Sequence, residues 1–387
     1  MAIRAGSWAG GEMMQADYLM LNLKVTTLSP LHIGTGRELL HEYDYAVHNK
    51  QTWRLNEDAI LEAQDISDPS FAAVLAKTPP ANLLRPQDYQ ISSRYFRYVI
   101  QGVPRSTAEG AQLREQIKNI NDQPYLPGSS LKGALRTVLA WHAWKARNLQ
   151  PDRRLLDERR PKFAARGLEQ KLLGSDPNHD LLRALLVSDS QPVGADRLML
   201  INAKVLTARS EGSPIEVEAV RPETVFLHAV KLDLRLFSQW AAQAEAGNFR
   251  LGGARQWLES LPALARAHAL NRIQTQLQWF QNRPNSQRLA TFYSDLQKLS
   301  LKANQFVIQL GWGGGWDSKT FGSRLAENPA FFEWVITNYR LARGRRQRGD
   351  LFPKSRRVAM RVIADNQGRR IETPAAPLGW VLVEMLE

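Results

Sequence analysis

Cysteine is missing from this chain of 387 residues. Its absence excludes disulfides and thiolate zinc sites, and it fits a reducing cytoplasm. The histidines at 32, 41, 48, 142, 179, 228 and 268 contain no HxxxH or HxH spacing, which argues against a metal centre built on histidine pairs. Asp44, Asp189 and Asp317 are isolated acids, so neither a carboxylate metal cluster nor a paired-carboxylate glycosidase finds support. No metal and no cofactor is expected. No apolar run reaches about 18 residues, so no membrane span is expected and no membrane partner. Residues 1–17, MAIRAGSWAGGEMMQAD, lack the apolar stretch of a secretory signal and are expected to form a flexible leader outside the fold. No short-period repeat is visible.

Positive charge is what the chain has in excess. Lys plus Arg minus Asp plus Glu is 51 − 38 = +13. Such an excess concentrates polyanions around a protein and speeds their association. The charge is also clustered. Eleven Lys/Arg against four Asp/Glu lie between Lys132 and Lys171, and eight against one between Arg340 and Arg357. Blocks of this kind can be solvated faces, but these two flank glycine-rich loops, as a surface that tracks phosphates would.

The hydrophobic pattern predicts a mixed fold. LNLKVTTLS (21–29), YDYAV (43–47), TWRL (52–55), RYFRYVI (94–100), RALLVSDS (183–190), RLMLINAKVL (197–206), PIEVEAV (214–220), TVFLHAVKLDL (224–234), NQFVIQL (304–310), MRVIA (360–364) and GWVLVEML (379–386) read as strands. Asn56 is placed to cap a short helix, EDAILEAQ. In LKGALRTVLAWHAWKA, Leu131, Leu135, Val138 and Leu139 form the stripe of an amphipathic helix. His142 continues it, and Trp144 falls nearer the far side. The segment 152–173 is basic and expected to be helical, and ENPAFFEWVITNYRLA (327–342) reads as a helix. The fold class is α+β. An interrupted βαββαβ sheet of the ferredoxin or RNA-recognition type is the economical arrangement. A first part of the core is expected over 18–234, a helical insertion over 235–300, and the remaining core over 301–387.

Three loops share a design. PLHIGTG (30–36), LPGSSLKG (126–133) and LGWGGGWDSKTFG (310–322) combine glycine with Ser or Thr and with a basic residue or imidazole. Glycine lets backbone approach a ligand, and successive N–H groups can converge on an anion. Ser129 or Ser130 can cap the helix that follows, where a phosphate would meet free N–H groups. Lys132, Arg136, Lys319 and Arg324 supply counter-charge. Trp312, beside Gly313, and Trp316 read either as a stacking surface for bases or as core wedges. The third loop nearly fits a P-loop, GGGWDSKT, but Ser318 takes the second glycine's place. His32 is a candidate general acid or base on an RNA 2′-hydroxyl. Its partner could be His41, Lys132 or Lys319, and spacing selects none of them.

Taken together, SPLHIGTG, YLPGSSLKGALRT, LLVSDS, LGWGGGWDSKTFG and PKSRR…PLGWV resemble the RAMP superfamily of CRISPR effector proteins, and within it the subunit that caps the filament of type III-A complexes. The resemblance runs from residue 29 to residue 381 and is weak over 235–300. Ser29 and Ser355 stand where threonine is commoner in the family. It implies a RAMP core of RNA-recognition type that holds the 3′ side of the guide RNA (crRNA) and docks on a repeated backbone RAMP subunit. Target RNA and host nucleases are further candidate partners. By motif, Gly34, Thr35, Gly36, Ser129, Ser130, Lys132, Arg136, Lys319 and Thr320 would lie near the guide. No target-cleaving aspartate is implied. The expected function is therefore a non-catalytic, cytoplasmic RNA-binding assembly subunit. The alternatives are a RAMP endoribonuclease that processes precursor crRNA through His32, a nucleotide-driven module built on Lys319, and a related subunit of another type III complex.

Overall fold

The computed structural model describes residues 17–64, 73–108, 110–207, 210–243, 250–251, 254–342, 347, 350–364, 367 and 369–386. The expected leader, Asp17 excepted, and much of the second basic block lie outside the described residues. The chain begins with β1 (Tyr18–Thr27), β2 (Gly34–Leu40), β3 (Tyr45–His48), β4 (Gln51–Leu55), the short helix α1 (Glu57–Glu62), β5 (Phe96–Gln101) and β6 (Gln112–Gln116). Helix α2 (Gly128–Ala146), α3 (Arg166–Leu173), β7 (Leu185–Val187), β8 (Leu198–Thr207), β9 (Ile215–Val220) and β10 (Val225–Asp233) follow. Then come α4 (Arg255–Glu259), α5 (Leu261–Gln281), α6 (Gln287–Lys298), β11 (Gln305–Gln309), α7 (Gly322–Leu325), α8 (Pro329–Asn338), β12 (Ser355–Ala364), β13 (Arg370–Ala376) and β14 (Trp380–Leu386).

Alternation builds the first sheet. In β1, Leu23, Val25 and Thr27 turn inward while Lys24 and Thr26 between them stay partly exposed. In β10, Phe226, His228, Val230 and Leu232 do the same. The strand order is β11-β14-β1-β10-β7, and every neighbouring pair is antiparallel. Along the chain, β1–α2–β7–β10–α5–β14 is a βαββαβ series. Its four strands lie in the order fourth, first, third, second, which is the ferredoxin-like arrangement, with β11 added at the edge. Helices α2 and α5 pack against each other. The α2 stripe of Leu131, Leu135, Val138 and Leu139 is buried with Leu23, Val25, Phe226 and Val230 in one core. Each such buried side chain contributes roughly 1.5–3 kcal/mol.

A second sheet, β13-β12-β8-β9-β6-β2, and a small third sheet, β3-β4-β5, complete the strands. Three strands of these sheets fall where the sequence predicts none. β2 is glycine-rich and buries only Leu39, so it lacks the alternation that marks a strand. β6 is five residues long, with only Leu113 and Gln116 buried. β13 contains Pro374, which its place at the sheet edge tolerates. Other expectations are corrected as well. Trp144 is buried, against Phe321 at 5.8 Å between ring centroids, and His142 is only half-buried. The far side of α2 is thus covered by the chain just before α7. Asn56 makes no cap; its amide donates to the Arg94 carbonyl at 3.0 Å. In the basic segment 152–173, only Arg166–Leu173 is α-helical, because Asp152 and Pro161 start short 3₁₀ turns.

The register of β10 gives a direct test. Phe226 is 1% exposed and Leu227 is 39% exposed. Phe226→Ala is expected to cost ~3–5 kcal/mol of unfolding free energy and Leu227→Ala about 0.5 kcal/mol or less. Urea denaturation checks both, and equal losses would contradict the register.

Candidate nucleic-acid interface

The first loop leaves β1 and is held by backbone bonds. Leu31 pairs with Val220 through N–O contacts of 3.0 and 2.7 Å. The Ile33 amide donates to Gln116 Oε1 at 2.9 Å. His32 is buried, and its Nδ1 lies 2.6 Å from the Glu218 carbonyl oxygen. Burial holds its pKa down at about 4, with the Glu218 hydrogen bond opposing and Arg114 and Lys118 adding to the depression. The Glu218 side chain below is itself fully engaged. It accepts from Tyr98 Oη at 2.8 Å, from the Gln116 amide at 3.0 Å and from Lys118 Nζ at 2.6 Å. A buried acid satisfied in this way is a rigid support. Thr35 is already in use, donating to Glu115 Oε2 at 3.2 Å and accepting from the Arg37 amide at 3.0 Å. Gly36, with φ +90°, faces open space.

The second loop is organised differently from the sequence expectation. Helix α2 begins at Gly128 with Pro127 at the cap position, and neither Ser129 nor Ser130 caps it. Asp189 does part of that work, because its Oδ1 accepts from the Gly128 amide at 2.8 Å. A Cβ on Gly128 would overlap the Val187 carbonyl, so the glycine lets α2 start against β7. Ser190 Oγ accepts from the Leu126 amide at 2.9 Å. The VSDS motif is therefore the seat of the loop. It leaves the hydroxyls of Ser129 and Ser130 without a hydrogen-bond partner among the described residues. Lys132 is half-buried, and burial lowers its pKa while Asp180 opposes. Arg136 is tied down, 2.7 Å from Asp180 and 3.2 Å from Glu169.

The third loop crosses the first. The Trp312 amide donates to the His32 carbonyl at 2.8 Å. Gly311, at φ +67°, comes so close that a Cβ would sit 2.5 Å from that same oxygen. Lys319 is exposed and has no ion pair among the described residues. Thr320 is engaged within the loop, donating to the Trp316 carbonyl at 3.1 Å and accepting from the Gly322 amide at 3.2 Å. Gly313 packs on Leu378. Asp317 is half-buried, and desolvation raises its pKa while Arg272 and Arg356 oppose. Arg324 is buried, donating to the Trp141 carbonyl at 3.0 Å and pairing with Glu327 at 2.6 Å, so it supplies no free charge. The helix after the loop is only four residues long, which is too short for a P-loop helix.

The three loops nevertheless meet. One cleft of about 440 Å³ is lined by His32, Gly34 and Gly36 from the first, Ser130 from the second, and Gly311, Trp312 and Lys319 from the third. Thr35, Ser129, Lys132, Arg136, Gly313 and Thr320 do not line it. Arg136 and Thr320 border a second cavity of about 390 Å³, which Lys319 also touches. Two cations at the cleft's Trp312 were not singled out from the sequence, and only the first of them lines the cleft. Arg114 on β6 and Arg357 on β12 place their guanidiniums over the Trp312 ring, 5.6 and 5.0 Å from its centroid. Trp312 lines the cleft and packs against the buried cluster of Ile201, Val217 and Leu378, as the core-wedge reading expects. No periodic signal in QLREQ marks Arg114, because Leu113 is its one apolar residue. Trp316 is a wedge, packed at Gly322 and beside Phe332 and Phe352. No group of three or more His, Cys, Asp or Glu suited to a metal ion exists among the described residues.

Fold and cleft define an α+β protein of the ferredoxin-like class, with loops from three parts of the chain joined over one groove. Residues 24–316 match the RAMP superfamily, and the chain belongs to that superfamily. It is similar to the Csm5 protein of the CRISPR system of Streptococcus thermophilus, at 28% identity over 237 residues, 54% of this chain and 63% of the relative. It is also similar to Csm5 of Methanocaldococcus jannaschii, at 22% identity over 384 residues, 95% of this chain and 90% of that one. The match thus spans just under two thirds of the first relative's length and nine tenths of the second's. Among solved structures, a chain of a type III-A Csm–crRNA–target RNA ternary complex superposes with a TM-score of 0.69 at 25% identity, covering 94% of this chain and 100% of that chain. The crystal structure of T. onnurineus Csm5 superposes with a TM-score of 0.60 at 23% identity, covering 92% and 99%.

The environment of His32 sets a pH dependence. An imidazole in the unfolded chain titrates near 6.5, whereas folded His32 stays neutral down to about 4. The unfolded state therefore binds more protons in between. The stabilising contribution is complete above pH 6.5 and is lost as pH falls through 4. In urea denaturation at a series of pH values, wild type is expected to lose more stability between pH 6.5 and 4 than His32→Gln does. Parallel profiles would contradict the assignment.

Proposed function

We propose that this chain is a non-catalytic guide-RNA-binding subunit of a type III-A CRISPR interference complex, which caps the filament and holds the 3′ side of the crRNA. One observation carries the reading. Loops separated by about one hundred and about two hundred residues line a single cleft, and its outer lysine, Lys319, has no acidic partner among the described residues. Backbone, the Ser130 hydroxyl and the cations Arg37, Arg114 and Lys319 line it, and its two carboxylates, Glu38 and Glu115, are paired with Arg114 and Lys118; such a groove suits a sugar–phosphate chain and gives little base readout. The solved complex with the higher TM-score contains crRNA and target RNA, which supports guide RNA and a repeated backbone RAMP subunit as partners. The work of such a complex fits the cytoplasm. His32 does not suit the general-acid half of the endoribonuclease reading. With Nδ1–H held by the Glu218 carbonyl and a pKa of about 4, Nε2 is unprotonated at neutral pH and leaves the imidazole only the base's role.

Binding of single-stranded RNA by the purified chain is expected to weaken steeply as salt rises. Lys319→Ala should weaken it evenly across sequences and reduce the slope of log K against log salt by about 1. Arg136→Ala should leave that slope unchanged and lower folding stability instead, since it strips Asp180 and Glu169 of their partner. Filter binding across a salt series, with urea denaturation beside it, separates the two. A flat salt dependence would defeat the reading, and an effect of Arg136 larger than that of Lys319 would misplace the groove.

A further inference from the structure

The cavity on the other side of Lys319 has a different chemistry. Much of its wall is apolar, built by Leu156, Leu168, Phe321 and Val335, and Arg136, Lys162, Glu169 and Lys319 make up its charged part. The apolar part offers a phosphate nothing in exchange for its hydration, whereas it suits a flat aromatic ring. The volume of about 390 Å³ lies at the lower end of the range for small-ligand sites. Two elements border both spaces. On α2, Ser130 lines the cleft and Gly133, one turn later, lines the cavity; in the third loop, Lys319 lines both. A strand whose backbone follows the cleft past Lys319 therefore has the cavity beside it.

Gly133 is the second independent sign. It sits inside a helix, where glycine is the poorest residue apart from proline. A Cβ there would meet nothing within 4 Å, so internal packing does not require the glycine. Its lack of a side chain keeps the mouth of the cavity open. Tyr339 also lines the space, and its buried hydroxyl has no hydrogen-bond partner among the described residues. Base edges carry the donors and acceptors that such a group lacks.

We propose that this cavity receives a single nucleobase, unstacked from the guide strand that lies in the cleft, with Lys319 at the phosphate beside it. The proposal rests on the RNA-binding reading above. Phe321 and Trp316 give the pocket aromatic surface, and an aromatic surface accepts any of the four bases.

The test uses the full chain and short single-stranded RNAs, cut to the minimal length that binds, each carrying one abasic nucleotide at a successive position. One position is expected to weaken binding roughly tenfold, the size of one lost base–aromatic contact, while its neighbours change little. Gly133→Leu should bind the intact RNA as weakly as wild type binds that abasic strand, with no further loss on the abasic strand. Gly133→Ala should bind nearly as wild type. A flat abasic profile on the wild-type protein overturns the proposal without any variant. So does a Gly133→Leu protein that holds RNA normally but no longer joins a neighbouring RAMP subunit on gel filtration, which would assign the cavity to a protein side chain. In both cases a salt-dependent affinity that falls with Lys319→Ala leaves the wider reading standing. Absence of RNA binding by wild type removes both.

Discussion

The hydrogen bond from the Trp312 amide to the His32 carbonyl, 2.8 Å long, joins parts of the chain 280 residues apart in sequence. Around it the backbones of the first and third loops lie in contact at Gly311. Beneath it His32 is anchored to Glu218, and Glu218 to Tyr98, Gln116 and Lys118. This stack sets where the floor of the cleft lies. Because each polar group in it is buried and partnered, losing one partner would leave another unsatisfied, at a cost of about 1–3 kcal/mol. The cleft is therefore pre-formed, and a ligand need not pay to assemble it.

Glycines that look alike in sequence divide into two kinds. Gly128 and Gly311 are needed because another segment's backbone occupies the place of a side chain. Gly133 faces open space inside a helix, so any reason for it lies outside the folded chain itself, whereas Gly36 faces open space but is required by its φ of +90°. The same division runs through the cations. Arg136 and Arg324 are spent on carboxylates, Arg114 lies over Trp312 and 3.5 Å from Glu38, Arg357 lies over Trp312, and Lys319 has no ion pair among the described residues. Net charge overstates the binding surface, because much of it is neutralised within the fold.

What was legible in the sequence follows from range. Strands β1, β10 and β14 and helix α2 declare themselves by local periodicity, and their order along the chain suggests the βαββαβ sheet, but its second helix, α5, falls in the stretch 235–300 that reads from sequence as an insertion. The three loops were visible as glycine-rich interruptions, and the superfamily could be recognised from them. Contacts between distant residues were not visible. Asp180 and Glu169 lie 44 and 33 residues from the arginine they hold, so Arg136 and Lys319 looked equivalent. Asp189, 61 residues from Gly128, takes the capping place that Ser129 and Ser130 seemed to offer. β2, β6 and β13 are strands by virtue of their neighbours rather than their own pattern, and Arg114 was hidden with β6.

The central claim is that one strand of RNA touches all three loops at once. Photocrosslinking of the chain to a guide RNA with a single reactive nucleotide, followed by mass spectrometry of the attached peptides, tests it most directly. The account predicts that one nucleotide, or two adjacent ones, attaches to peptides containing residues 31–37, 129–132 and 311–320. Attachment spread over unrelated surfaces, with these three peptides absent, would contradict it.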